Sequence, residues 1–172
     1  MQRGDAWAPV AARIARRWRT VLVDFGEPTL DACVHAVRSA APGGAAVGYS
    51  MGGRIALHAA LREPTPFRAL VLVGATPGID DEAARRSRRA ADESLAEWME
   101  GARIDAVVDH WESQAVFGTQ SDGLVAAQRP GRLSHAPREL AAMLRATGQG
   151  TMEPVWDRLS QLTIPVLAVA GE

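Results

Sequence analysis

Along the chain, polar and apolar positions alternate in blocks that change period. From Ala6 to Trp18 the apolar residues Trp7, Val10, Ala11, Ile14, Ala15 and Trp18 recur at spacings of three and four, which predicts an amphipathic helix. Thr20–Val23 predicts a short strand. Thr29-Leu30-Asp31 offers the cap of a second helix, which runs to about Ser39 and is broken by Ala41-Pro42-Gly43-Gly44. Ala45–Tyr49 predicts a buried strand, and Gly52–Leu61 predicts a helix ended by Pro64 and Pro66. Ala69–Val73 is a continuous apolar run of the kind a parallel sheet buries on both faces. Strand, helix, strand in that order predicts the α/β class.

Residues 79–160 carry helical signals only, at Asp80–Gly101, Ile104–Trp111, Arg138–Thr147 and a short piece near Trp156. Ile164–Ala170 then returns to strand character, with Pro165 near its start, where a missing N–H is tolerated. The pattern predicts an α/β core over 1–78, a helical lid insertion over 79–160 and a returning core strand over 161–172. No internal repeat, low-complexity tract or Gly/Ser linker interrupts it.

Composition narrows the class of partner. The chain has 172 residues, 19 basic against 20 acidic, a net charge of −1 and 47% hydrophobic residues, as expected of one soluble globular domain. This balance gives no broad positive field, which argues against a general nucleic-acid or membrane-surface partner. All the basic residues are arginine, so arginine clusters are discounted accordingly. No apolar stretch approaches the roughly 20 residues needed to span a bilayer. The first residues do not resemble a signal peptide, which predicts a cytoplasmic protein. Cys33 is the single cysteine, which excludes an internal disulfide and a multi-thiolate metal site; its ordinary reading is a small buried hydrophobe. Neither a cofactor nor a metal is expected, and the sequence leaves the oligomeric state open.

The candidate chemistry lies at Gly48-Tyr49-Ser50-Met51-Gly52-Gly53, a G-x-S-x-G segment between a predicted strand and a predicted helix. A sharp strand-to-helix turn forces strained torsions on the serine, and the missing Cβ atoms at Gly48 and Gly52 are expected to relieve the crowding. Ser50 would then stand exposed at the carboxyl edge of the sheet. The Met51 backbone N–H would be one oxyanion donor, assisted by the helix dipole. The plainer alternative is a glycine-rich turn whose serine caps the helix.

At these residues the chain resembles the α/β-hydrolase superfamily. Within it, Gly48–Arg54, Thr76-Pro77-Gly78-Ile79 with the arginine-rich helix after it, Asp109-His110-Trp111 and Ala141–Thr147 are similar to the 2-succinyl-6-hydroxy-2,4-cyclohexadiene-1-carboxylate synthases of menaquinone biosynthesis. The resemblance implies a lyase on a hydrolase scaffold, in which a Ser-His-Asp triad removes a proton and pyruvate leaves by 2,5-elimination. It makes Ser50 the triad serine and makes Arg54, Arg88 and Arg132 the arginines that hold a small polycarboxylate substrate, for which their planar forks are suited. Arg54 follows Ser50 by one helical turn, on the same side. For all three arginines a solvated surface role stands as the alternative. Tyr49, Trp111 and Phe117 match aromatic positions near the family's site, with packing under a lid as the other reading.

The resemblance stops short at both ends. The family's acid follows the strand at Ile164–Ala170 and its histidine lies beyond the next strand, whereas this sequence closes at Gly171-Glu172. Upstream, Gln2–Trp7 is similar to the segment after the family's His-Gly-Phe oxyanion loop. Val23–Pro28 lacks a Gly-His-Gly turn. The expectation is a truncated copy with a partial fold, lacking N-terminal strands, a C-terminal strand and the triad acid and histidine. Loss of a triad histidine costs on the order of 10⁶ in kcat. His58, eight residues past Ser50 on one helix, would lie roughly 12 Å away. His35 is expected on the preceding helix, and His110 and His135 in the lid. A generic esterase, a non-catalytic remnant that binds small carboxylates and a chain without a single folded state are the alternatives to a lyase.

Overall fold

A computed structural model describes residues 3–171; Met1, Gln2 and Glu172, at the outer ends of the predicted units, lie outside them. Three parallel strands, β1 (Ala45–Tyr49), β2 (Ala69–Val73) and β3 (Val166–Val169), form one sheet in the order β1-β2-β3. Ala45 stands opposite Ala69 and Leu70 opposite Val166, so β2 is central. The turn after β1 leads straight into α3 (Met51–Ala60), which packs on β1, β2 and α2 (Leu30–Ala40). Ile55, Leu57, Leu70, Cys33 and Val34 are buried between these layers, joined by Met152 and Val155 from further along the chain.

Only one face of the sheet is covered. Ala46, Gly48, Leu70 and Leu72 are buried, while Val47, Tyr49, Leu167 and Val169 on the opposite face are exposed. The expectation that Ala69–Val73 is buried on both sides is therefore corrected: its burial alternates, with Leu70 and Leu72 buried on the side where α3 packs.

The second helix begins where its cap predicts, with the Ala32 N–H donating to Thr29 Oγ1 at 3.1 Å. The first helix is shorter than its pattern, a 3-10 turn over Gly4–Trp7 followed by α1 (Ala8–Ile14). Thr20–Val23 is not a strand. No described strand lies beside it to complete a ladder, and its contacts are instead with the N-terminal turn, where the Gly4 N–H donates to Asp24 Oδ1 at 2.6 Å and Gly4 sits against the Val23 backbone.

The block after β2 is helical, as its sequence pattern predicts. It comprises α4 (Glu82–Gly101), α5 (Ile104–Glu112), α6 (Asp122–Leu133) and α7 (Pro137–Thr147), with 3-10 turns at Ala115–Phe117 and Trp156–Gln161. Asp81 caps α4 through the Ala84 N–H at 2.7 Å. Ala96, Met99, Val107 and Ala141 make a second small core where α4, α5 and α7 meet. Gly123, Pro130 and Gly131 hide α6 from a propensity reading. It forms because Ser121 caps it and because Arg129 and Arg132 pair with Glu112 of α5. No helix among the described residues is long and apolar enough to cross a membrane.

The C-terminal end of α3 is closed by another helix. Arg38 of α2 donates from Nη1 to the Ala59 and Arg62 carbonyls, at 2.7 and 2.5 Å, and from Nη2 to the Pro64 carbonyl at 2.7 Å. The Ala59 carbonyl would otherwise be left over at the helix end, where a cation also suits the dipole, and the other two lie in the turn just past it. Arg38→Ala is expected to lower stability by about 1–3 kcal/mol. Arg38→Lys should restore only part of it, since an ammonium lacks the planar fork. Urea unfolding of the three proteins measures both.

Candidate active site

Ser50 sits between β1 and α3 with φ 50° and ψ −115°, the one non-glycine residue of positive φ among those described. Its N–H donates to the Val73 carbonyl at 2.8 Å and its carbonyl accepts from the Arg54 N–H at 3.1 Å, so β2 and α3 grip the strained residue from both sides. Its side chain makes no capping hydrogen bond, which removes the plainer reading of a helix cap. Met51 is the first residue of α3, and its N–H therefore has no intrahelical acceptor.

The glycines that allow the turn are not the expected pair. A Cβ on Gly48 would fall 2.5 Å from the Gly52 carbonyl oxygen and 2.5 Å from Gly53 Cα, and one on Gly53 would fall 2.6 Å from Ala75 Cβ. A Cβ on Gly52 would meet nothing within 4 Å. The relief assigned to Gly52 belongs to Gly53, which faces inward at the crossing of α3 over the strand ends, whereas Gly52 faces open space.

One turn past Ser50, Arg54 is buried, 8% exposed. Its Nη2 donates to the Thr147 carbonyl at 3.0 Å, while its Nε–H is buried without a protein partner. Burial, then the neighbouring Arg88 charge, push its pKa down to about 10, with Asp92 opposing. Arg88 donates from Nε to Asp92 Oδ1 at 2.7 Å and from Nη1 to Gln149 Oε1 at 2.9 Å. Asp92 is itself buried, and its second oxygen has no partner. The Thr147 hydroxyl donates to the Met143 carbonyl at 2.7 Å and lies 3.1 Å from the Met51 sulfur. The end of α7 is thus fastened to the first turn of α3.

The other predicted residues form separate groups. Arg132 is 1% exposed, with Nη1 on Glu112 Oε1 at 2.8 Å, Nη2 on Gln128 Oε1 at 2.6 Å and Nε unpartnered. Its Cζ lies 5.9 Å from the centre of the Phe117 ring, which is in turn 5.3 Å from the Trp111 ring. Tyr49 stands on the open sheet face beside Gly74. The geometry therefore gathers Ser50, Met51, Arg54 and Arg88, and holds Arg132, Trp111 and Phe117 together in another cluster.

The profile of the alpha/beta hydrolase fold matches residues 4–153. The chain belongs to that family. A 2-succinyl-6-hydroxy-2,4-cyclohexadiene-1-carboxylate synthase of Serratia proteamaculans is 36% identical over 130 residues, which are 73% of this chain and 49% of that protein. The structure of MenH from S. aureus aligns with a TM-score of 0.89 at 27% identity, over 99% of this chain and 71% of that one. A thermophilic esterase from Thermogutta terrifontis, at 18% identity and a TM-score of 0.74 over 99% of this chain and 67% of its own, shares the fold. The chain spans about half the length of the curated relatives it matches.

None of the four histidines has a hydrogen bond to Ser50 among the described contacts. His35 faces Ser39, and His110 stacks near Trp98 and meets Gln114. His58, on α3, has its pKa lowered by burial and then by Arg158, Arg62 and Arg54, against a hydrogen bond to the Glu153 backbone. His135 is lowered by burial and then by Arg3. No group of three or more His, Cys, Asp or Glu side chains among the described residues is placed to hold a metal. The residues that the sequence did not single out are Asp92, Thr147 and Gln149. The i,i+4 spacing of Arg88 and Asp92 was a signal for the first; the other two meet the site only through tertiary packing.

Two measurements follow from this geometry. Gly48→Ala should destabilise the folded chain by about 1–3 kcal/mol or more, because backbone has to move. Gly52→Ala should be neutral or stabilise by up to about 1 kcal/mol, as alanine does in a helix; a thermal melt of each separates them. A base whose folded pKa is depressed costs stability below its unfolded value. The folded chain should accordingly lose stability as pH falls below 6.5, and His58→Gln should flatten part of that slope.

Proposed function

We propose that this chain carries the substrate site of a 2-succinyl-6-hydroxy-2,4-cyclohexadiene-1-carboxylate synthase, a lyase that eliminates pyruvate from 2-succinyl-5-enolpyruvyl-6-hydroxy-3-cyclohexene-1-carboxylate. The observation that carries the reading is Arg54, a buried cation with an unsatisfied N–H one helical turn from the strained Ser50. An isolated buried guanidinium is costly, and a carboxylate that accepts from it offsets that cost with a charge-assisted hydrogen bond. A neutral ester does not. Arg88, held by Asp92 and Gln149, adds a second positive charge nearby, so the pair suits a substrate with more than one carboxylate. The relatives named for this reaction support the same choice.

In the proposed reaction a base takes the proton from ring carbon 2, the ring double bond shifts, a new one forms at carbons 4 and 5, and the carbon–oxygen bond to the enolpyruvyl group breaks. Enolpyruvate leaves and becomes pyruvate. Negative charge builds on the succinyl carbonyl beside carbon 2, where the Met51 N–H is suited to stabilise it. In this reading Ser50 relays the proton, which its strained position one turn before Arg54 supports. The contacts of the described residues supply no histidine base for it, so substrate binding is the primary test. Titration calorimetry with the enolpyruvyl substrate should show Arg54→Ala weakening affinity by about 10- to 100-fold, the worth of a hydrogen bond to a charged group. Ser50→Ala should bind normally and release no pyruvate in any preparation in which the unaltered chain does. Unchanged affinity in both Arg54→Ala and Arg88→Ala overturns the reading. Turnover of neutral aryl esters that is indifferent to Arg54→Ala favours an esterase.

A further inference from the structure

Arg85, Arg86, Arg88 and Arg89 crowd one helix, α4. Arg85 donates to the Ile79 carbonyl at 3.3 Å, Arg86 pairs with the exposed Glu82, and Arg89 donates to the Gly150 carbonyl at 2.9 Å. Of the four, Arg88 alone is tied to a buried carboxylate, that of Asp92.

Asp92 is poorly placed to hold the fold together. Its Oδ2 has no hydrogen-bond partner and lies under the turn after α7, where a Cβ on Gly148 would fall 2.7 Å from it. A buried carboxylate with an unsatisfied oxygen carries a desolvation cost, which a single pair to a half-exposed arginine does little to offset. The Arg88 side chain is 44% exposed and would meet water if Asp92 were absent. The effect of the pair therefore falls on the direction of the guanidinium. Asp92 Oδ1 takes Nε at 2.7 Å, Gln149 Oε1 takes Nη1 at 2.9 Å, and Nη2 has no acceptor among the described residues. Contacts to two nitrogens of a planar fork fix its plane and leave the third nitrogen aimed. Asp92 also opposes the loss of charge on Arg54, one helical turn from Ser50.

We propose that Asp92 is a positioning residue for substrate binding, which acts through Arg88 by aiming Nη2 at one of the substrate's carboxylates. The inference rests on the reading of Arg54 and Arg88 as the holders of those carboxylates. Its sign is opposite to that of charge alone. A negative charge beside an anion site repels the anion, so its removal would tighten binding if Asp92 acted only through its field. Loss of aim weakens binding instead.

Titration calorimetry with the enolpyruvyl substrate should show Asp92→Asn, which keeps the shape of the side chain, weakening affinity by about tenfold or more. In an Arg88→Ala background the same substitution should cause no further loss, because nothing remains to be aimed. A buried position can fail to fold when altered, so Arg88→Lys leaves Asp92 intact. It keeps the charge, gives up the fork and should also weaken affinity by about tenfold. A further measurement needs no ligand. In NMR of the labelled chain the Arg88 Nε–H, assigned by its absence in Arg88→Ala, should resist exchange with water and lose that protection in Asp92→Asn, while the backbone amides of α7 keep their shifts. Unchanged or tighter binding in Asp92→Asn overturns the proposal. So does an equal loss with and without Arg88, which would make Asp92 a support of the fold alone, or full affinity in Arg88→Lys, or an Arg88 Nε–H that exchanges freely in the unaltered chain. If Arg54→Ala and Arg88→Ala both leave affinity unchanged, the reading of the site falls and this inference falls with it. If they weaken binding and Asp92→Asn does not, this inference falls alone.

Discussion

Everything at the candidate site depends on how closely the first turn of α3 approaches the end of β1. Two backbones cross there at a distance that tolerates no side chain on Gly48 or Gly53. The crossing holds Ser50 in torsions that an L-residue avoids, and the hydrogen bond from Ser50 to Val73 prevents the turn from relaxing. The same crossing sets the direction of α3 across the sheet. Arg54, a turn later, is thereby carried under α7 instead of into water, and Ile55 and Leu57 reach β2 and α2. One steric condition thus fixes the serine, the arginine and the covered face of the sheet.

Charge is placed with similar economy. Arg54 and Arg88 share one buried carboxylate, Asp92, which leaves the group one positive charge in excess. The segment after α7 reaches this cluster because Gly148 and Gly150 lack side chains that would strike Asp92 and the backbone of α4. Arg89 then ties the Gly150 carbonyl at 2.9 Å, and Gln149 arrives at Arg88. The turn is short and built mostly of backbone, so the arginines are positioned by main-chain geometry more than by side-chain packing.

The α/β order, the caps at Thr29 and Asp81 and the serine turn were legible in the sequence because each rests on interactions within a few residues. Ser50 and Arg54 were legible for the same reason, the serine standing at the start of α3 and the arginine one turn into it. The strand expected at Thr20–Val23 failed because a strand is a property of a pair, and a β-prone segment carries no record of its neighbour. The helix at Asp122–Leu133 was hidden because its glycines and proline argue locally against it, while the ion pairs to Glu112 that hold it are some 20 residues distant. Gly52 was assigned the role of Gly53 because a G-G pair looks alike from either side until the crossing angle is known. Thr147 and Gln149 join the site through a carbonyl and an amide, which carry no composition signal.

The helical block after β2 is attached in two different ways. Its α4 and α7 share a small apolar core and are clamped by Arg145 on Glu93 and Glu100, and α7 is tied through Thr147 to α3. Neither can swing without disturbing Ser50. By contrast, α6 has Arg132 as its one buried residue and hangs on α5 through Arg129, Arg132, Asp109 and Glu112. Displacing it exchanges ion pairs for hydration and opens no apolar core. Added salt therefore screens the outer Arg129–Asp109 pair far more than the Arg132–Glu112 pair, whose arginine is 1% exposed, so this arm keeps its innermost tie while its outer one loosens.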